Sequence, residues 1–536
     1  MMKIALRTSL VAAFALTVLV IGFAGVHKVI GSAYHSPQQT LSSPTPTPKT
    51  TPKPSVSPTP VQTLEILQSK IRERLFAPEV RRGRVGIKIV MLKTGKVIFE
   101  NDAEKYFIPA SNMKNFTVAA ALEKLGPDFR FVTSVFANAK PDAAGTIKGD
   151  LRIFGRGDVS ISTAFNNGDY YKGLGNLVDK IFAAGVRRIE GSIVGDESYF
   201  KGFALPPTWE WDDLQWYDGA EVSALPINNN AVDLTVKPGT PNGPCIVSVQ
   251  PVNTLMRVIN TCVTSWNATT GVVVFKPLGV NVLEISGSMS AGDKDFTGYV
   301  AFTHPADLFV MMLKQRLELK GVTVTGNARV LPANAQSDQL QVEIAKLESP
   351  PFSVIAAHTM KPSQNMFSET ILWALGEKFS GDSHRIFYKP KTSAQWGLDM
   401  VKAFLKQIEI PADAVLQYDG SGMSRHDLVT PSSIVTLYTY MAKDSRYSQA
   451  WRDSLPIGGV EGTLRRRFTM TSAEKNIRGK TGTLDQVSSL SGYLKTAGGE
   501  EIVVSIIVNG VAEPRTRTSL IDDIVVQLAN FNGKID

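Results

Sequence analysis

Three short strings follow one another along the chain: Ser111-Asn112-Met113-Lys114, Ser363-Gln364-Asn365 and Lys480-Thr481-Gly482-Thr483. Together they hold a nucleophilic hydroxyl, two amines, a second hydroxyl with a carboxamide, and a cationic segment suited to a carboxylate. Serine is a weak nucleophile near neutral pH and needs an adjacent base. Lys114 is one helical turn beyond Ser111. It can serve only if its pKa falls well below ~10.4, through burial and a neighbouring cation such as Lys480. The backbone N–H groups of Ser111 and Thr483 then make an oxyanion hole. Lys480 and Thr481 bind a terminal carboxylate, with Gly482 in the same substrate-lining stretch. Ser363 relays a proton to the departing amine. Asn365 bonds a substrate amide and holds Lys114 in place. The implied chemistry is acyl transfer through a serine ester.

Setting, more than spelling, gives these strings weight. Roughly two S-x-x-K strings are expected by chance in a chain this long, and Ser472-Ala473-Glu474-Lys475 is a second one. Ser265-Trp266-Asn267 likewise repeats the S-x-N spacing. Ser111, however, follows a Pro-Ala turn and opens an apolar helix, where N–H groups converge. Ser363-Gln364-Asn365 leads into the helix-prone run Met366 to Leu375. Lys-Thr-Gly is rarer, about 0.1 by chance, and it precedes a hairpin signal. A phosphate-binding loop would need glycine where Glu474 stands. There is no G-x-S-x-G elbow and no H-E-x-x-H. The six histidines do not cluster. No metal or other cofactor is expected.

These residues need a framework. The chain has 536 residues, enough for more than one domain. Lys3 and Arg7 precede an apolar run from Leu10 to Val26, a charged region followed by a hydrophobic one. The run is slightly short of the ~20 residues that cross a bilayer. Cleaved signal and uncleaved membrane anchor both stay open for residues 1–33, and either exports the chain to the periplasm or envelope. Residues 34–61 are rich in Ser, Thr and Pro, which favours an extended linker over a core. Its central stretch could span roughly 75 Å. The net charge of +8 is scattered, so nucleic acid is not an expected partner. Cys245 and Cys262 either pair, closing a short loop, or remain two buried thiols.

From Thr63 onward the pattern is globular. Val85 to Leu92 and Lys96 to Glu100 read as a hairpin, and a long helix runs to Leu125. Residues 137–300 are β-rich with few helical patterns and read as an insertion. Helices return near Pro305. Residues 487–495 and 501–509 form a second hairpin, followed by a terminal helix from about Thr516. The expected division is therefore a first catalytic part at 62–136, the insertion at 137–300, and a second catalytic part at 301–536.

Beyond the three strings, the sequence resembles the class C, low-molecular-mass penicillin-binding proteins, the D-Ala-D-Ala carboxypeptidase/endopeptidases of the peptidase S13 type. Gly155-Arg156-Gly157-Asp158, Gly195-Asp196-Glu197-Ser198-Tyr199-Phe200 and Trp209-Glu210-Trp211-Asp212-Asp213 are similar to that family's inserted-domain signatures. Asp419-Gly420-Ser421-Gly422-Met423-Ser424-Arg425 and Gly459-Val460-Glu461-Gly462-Thr463-Leu464 match further segments. The resemblance implies an α/β (α+β) transpeptidase/β-lactamase-like sandwich with an antiparallel central sheet, interrupted by two β-rich domains. It also implies a pocket for the side chain of a peptidoglycan stem peptide. There Asp213 faces an amino group, Arg425 a carboxylate, and Tyr217 takes the aromatic place beside them. β-Lactams would act as covalent inhibitors. Gln364, Val159 and Asp485 depart from the usual pattern, the last leaving stem-side-chain preference open. The expected function is a serine DD-peptidase of peptidoglycan metabolism. The alternative is a catalytically silent or sensor-type penicillin-binding envelope protein.

Overall fold

The computed structural model describes residues 61–267, 269–331, 341–380 and 391–535. The apolar run at residues 10–26 and nearly all of the linker lie outside them. Among the described residues, no helix is long and apolar enough to cross a membrane.

A five-stranded sheet carries the site, in the order Val97–Asn101, Arg84–Met91, Glu501–Asn509, Val487–Lys495, Arg478–Leu484. All neighbours are antiparallel. Alternation along Glu501–Asn509 shows why this sheet is a middle layer. Val503 and Ile507 face one core, which includes the helices Lys114–Leu125 and Asn365–Ser380. Ile502, Val504, Ile506 and Val508 face the other, against helices Leu64–Leu75 and Pro514–Asn530. A strand covered on both faces reads as a nearly unbroken apolar run, as Glu-Ile-Val-Val-Ser-Ile-Ile-Val-Asn does. Each such fully buried side chain contributes ~1.5–3 kcal/mol.

The hairpins fall close to where the sequence puts them. The helix after Ser111 ends at Gly126, whose φ of 84° suits a helix terminator without a Cβ.

The insertion is larger than its β signal suggests. Its first sheet runs Ala328–Val330, Ile193–Asp196, Leu151–Phe154, Val132–Ala137, Val342–Glu348. A smaller sheet joins Thr323–Val324, Arg188–Glu190 and Thr146–Lys148. Two further sheets are built from strands between Ala231 and Ala301. Helix Lys172–Ala183 lies within the stretch whose sequence reads as β-rich; it buries Leu174, Leu177, Val178 and Ile181 on one stripe. Helix Pro305–Leu319 buries Leu308, Phe309, Met312 and Leu313 in the same core as Val135, Ile193, Val232 and Leu283. Strand Val132–Ala137, just before the expected start of the insertion, pairs with Val342–Glu348 across the sequence gap. Cys245 and Cys262 are joined by a disulfide.

Candidate active site

Residues Ala110–Met113 form a tight 3-10 turn that runs directly into helix Lys114–Leu125. Two glycines press on this turn. A Cβ at Gly422 would lie 1.9 Å from the Ala110 carbonyl oxygen, and one at Gly482 would lie 2.6 Å from the Pro109 oxygen and 3.0 Å from the Ser111 nitrogen. Both approaches are closer than any side chain allows, so Gly420–Arg425 and Arg478–Leu484 close around Ser111. The fit is held by hydrogen bonds. Asn112 Nδ2 donates to Lys480 O (3.2 Å) and to Ser489 Oγ (2.6 Å), and Ser489 Oγ donates to Pro109 O (2.7 Å).

The Lys114 amine is fully buried. It lies 2.9 Å from Ser111 Oγ and donates to Asn365 Oδ1 (2.6 Å) and to the backbone carbonyl of Ser421 (2.7 Å). Burial lowers its pKa from 10.5 to about 8, against the opposing pull of Asp419, Glu369, Asp218 and Asp427. Two of the three partners are carbonyl oxygens and can only accept. A neutral amine satisfies both with its N–H groups and keeps its lone pair for the Ser111 hydroxyl.

Lys480 is equally buried. Its amine donates to Ser363 Oγ (2.7 Å) and Thr481 O (2.8 Å). Burial and the nearby Lys114 cation hold its pKa well below 10.5. The two serines thus have separate amines, Ser111 with Lys114 and Ser363 with Lys480. Ser363 adopts φ of 70° just before helix Asn365–Ser380. Asn365 accepts from Lys114 through Oδ1, while its Nδ2 donates to Asp218 O (3.1 Å). Thr481 Oγ1 donates to Thr463 Oγ1 at 2.6 Å. Thr483 lies exposed on the same strand, opposite Ser488. The alternative string Ser472–Lys475 lies in an exposed turn with Lys475 at φ of 58°, and has no part here.

Behind Lys114 stands a layer of carboxylates. Asp419, 1% exposed, accepts from the backbone N–H groups of Ser421, Gly422 and Ser424 and from Trp209 Nε1 at 2.8 Å. Both oxygens of Glu369 accept from Gly420 N at 2.9 Å. Burial, reinforced by Asp419, raises Glu369 to about 8. The same causes push Asp427 well above the carboxylate range.

The insertion reaches into this site. Asp213 is raised to about 6 by burial and by Asp212, Glu210 and Asp218 nearby. Arg425 is within electrostatic reach of Asp213, yet its Nε pairs with Glu210 at 2.8 Å and another nitrogen donates to Asp485 O at 3.1 Å. Tyr217 opens the short turn Tyr217–Gly219 and stands edge-on to Tyr299, with ring centroids 5.6 Å apart.

A family model, the D-Ala-D-Ala carboxypeptidase 3 (S13) family, matches residues 67–531. The chain belongs to the peptidase S13 family. An S13-like curated relative, a D-alanyl-D-alanine carboxypeptidase from an Actinomadura species, is 30% identical over 483 residues, covering 87% of this chain and 85% of that protein. The D-alanyl-D-alanine carboxypeptidase DacB of Haemophilus influenzae is 26% identical, covering 80% of this chain and 85% of its own length. The crystal structure of penicillin binding protein 4 (dacB) from Haemophilus influenzae superposes with a TM-score of 0.73 at 24% identity, over 87% of this chain and 99% of that one. That likeness places the fold among mixed α/β penicillin-binding proteins.

In this S13 chain the sequence strings did not announce every working part. The Ser421 carbonyl is invisible in sequence because a backbone group carries the contact. Trp209, Asp419 and Thr463 lay inside segments recognised by resemblance, without a role attached. Glu369 did carry a signal: it is a lone carboxylate in the apolar run Met366 to Leu375, where burial demands a partner.

Proposed function

We propose that this protein is a serine DD-peptidase of peptidoglycan metabolism. It removes the terminal residue of D-Ala-D-Ala stems as a carboxypeptidase, and the same chemistry serves D-Ala–diamino acid cross-links as an endopeptidase. The observation that carries this reading is the buried Lys114 amine, 2.9 Å from Ser111 Oγ and turned toward it by two carbonyl acceptors. Family membership and the names of the relatives support the substrate class.

Neutral Lys114 takes the Ser111 proton as Oγ attacks the carbonyl between the two D-alanines. The oxyanion is held by the N–H groups of Ser111 and Thr483. Ser363 gives its hydroxyl proton to the departing amine and takes one from the Lys480 ammonium bonded to it. Thr481 and Gly482, with the Lys480 cation behind them, receive the terminal carboxylate. Water then hydrolyses the ester. Asp213, Tyr217 and Arg425 form the pocket for the stem side chain, with Glu210 occupying Arg425 until a substrate carboxylate displaces it. Penicillin presents a strained amide to the same serine and acylates it.

The domain reading follows three cores, one on each face of the five-stranded sheet and one in the insertion. Residues 62–131 and 349–535 make the catalytic domain. The insertion divides into one β-rich domain around strands Val132–Ala137 and Ile193–Asp196 and a second around Ala231 to Ala301. Residues 1–33 direct export to the envelope or periplasm, and residues 34–61 tether the body.

Mass spectrometry after incubation with benzylpenicillin and, separately, a cross-linked muropeptide tests the whole reading. A penicilloyl adduct on Ser111, together with released D-alanine or cleaved cross-link, is the expected result. Unmodified protein and intact muropeptide would instead favour the silent envelope scaffold.

A further inference from the structure

Lys114 has two hydrogen-bond partners besides Ser111, and the insertion holds both. Asn365, which offers Oδ1 to the amine, donates its Nδ2 to the carbonyl of Asp218 at 3.1 Å. Ser421, which offers its carbonyl, sits in a loop organised by Asp419. Asp419 in turn accepts the indole N–H of Trp209 at 2.8 Å, in a buried contact. Trp209 and Asp218 bracket Asp213 on one segment of the insertion. That segment is therefore built into the base's own support as well as into the stem pocket.

We infer that Trp209 is a positioning residue for acylation: its indole N–H, acting through Asp419, fixes the loop carbonyl that aims the Lys114 amine at Ser111. This rests on the proposed roles of Ser111 and Lys114. The physical reason is geometric. Glu369, Thr117 and Ser368 hold the start of the loop at Gly420, while Asp419 gathers the N–H groups of Ser421, Gly422 and Ser424, and this carboxylate takes an external point of its own. Trp209, 8% exposed, supplies a rigid one. Its N–H also draws off part of the Asp419 charge. The charged groups facing the Lys114 amine are Asp419, Glu369, Asp218 and Asp427, with Lys480 opposing them. Without the indole donor, Asp419 presents its full charge and holds Lys114 protonated to higher pH.

The test measures benzylpenicillin acylation, since penicillin has no stem side chain for the Asp213 pocket. Trp209→Phe keeps the ring but loses the donor. Replacement of Trp209 by β-(3-benzothienyl)alanine removes only the N–H from an isosteric ring, and covers the case in which the phenylalanine variant does not fold. The expected result is an acylation rate constant reduced about tenfold, unchanged noncovalent affinity for penicillin, and an acid limb of the pH–rate profile moved to higher pH. Acylation at the wild-type rate overturns the inference. So does slower acylation with an unmoved pH limb, which would give Trp209 a packing role alone. Failure of the wild-type protein to form an adduct would instead overturn the proposed function.

Discussion

The amine of Lys114 and the hydroxyl of Ser111 stand 2.9 Å apart, the serine in the turn and the lysine at the start of the helix that follows it. The pair acts as base and nucleophile only with the amine neutral. Burial has brought its pKa to about 8, so the active form grows as pH rises to that value. Stopped-flow acylation by benzylpenicillin should therefore accelerate with pH and level off above about 8. The linked stability effect has the same sign. Between about 8 and 10.5 the unfolded chain holds a proton that the folded chain has lost, so stability rises with pH across that window. A rate that is flat from mildly acidic pH upward would remove Lys114 from the role of base.

Ser111→Ala removes the atom that becomes acylated. Carboxypeptidase turnover should fall roughly a thousandfold or more, while thermal stability changes little, since the serine is half-buried and its hydroxyl bonds Lys114. Retained turnover in this variant would exclude the acyl-enzyme route.

Gly482→Ala places a methyl group 2.3 Å from Ser489 Oγ and 2.6 Å from Pro109 O. These neighbours are a locked side chain and backbone, so the strand must move away from Ser111. We expect a loss of about 1–3 kcal/mol in unfolding free energy and a larger proportional loss of acylation rate. Chemical denaturation and acylation kinetics on the same preparation check both.

The Asp213 carboxyl, raised to about 6, is neutral below that pH and charged above it. Its attraction for a substrate amino group is thus present above about 6 and lost as pH falls through it. Peptides bearing a free amine on the stem side chain should show KM rising below that value. Arg425→Ala should raise KM for stems that carry a side-chain carboxylate by more than it slows penicillin acylation. The exposed Arg425–Glu210 pair adds little to stability, so melting temperature should hardly move. Equal losses for peptide and penicillin would place Arg425 outside the stem pocket.

The Cys245–Cys262 disulfide closes a separation of 17 residues, for which loop entropy predicts about 3 kcal/mol. Cys245→Ala with Cys262→Ala should lower the stability of the insertion by that order. The penicillin acylation rate at low temperature should survive, because the bond is remote in sequence from every catalytic string. Calorimetry with and without reductant measures the first, and gel-based penicillin labelling the second.

Much of the architecture was legible because its signals are local. Two strand-like runs, 487–495 and 501–509, joined by the Gly-containing turn Thr496-Ala497-Gly498-Gly499-Glu500 marked the final hairpin, and a Pro-Ala turn before an apolar helix marked the setting of Ser111. Pairing between distant strands was not legible, for the opposite reason. Val132–Ala137 and Val342–Glu348 are neighbours in one sheet, and no local pattern records a pairing across so many residues. Helix Pro305–Leu319 shows an apolar stripe in sequence, but a stripe does not say which core it will cover.

The same division holds at the site. The sequence alone determined the chemical inventory: a serine with a lysine one turn on, a second serine with a carboxamide, and a lysine on a strand before a hairpin. Residue type and short-range spacing decide such things. Only the tertiary structure decided that Ser363 belongs to Lys480 and not to Lys114, that Asn365 spends its amide nitrogen on Asp218, and that Arg425 is held by Glu210. It also decided that Lys114 is held by a backbone carbonyl of Ser421, in a loop tied through Asp419 to Trp209 of the insertion. Those pairings depend on angles and distances of a few ångströms between segments far apart in the chain, and the lowered pKa of Lys114 depends on its complete burial. Both arise only when the cores close.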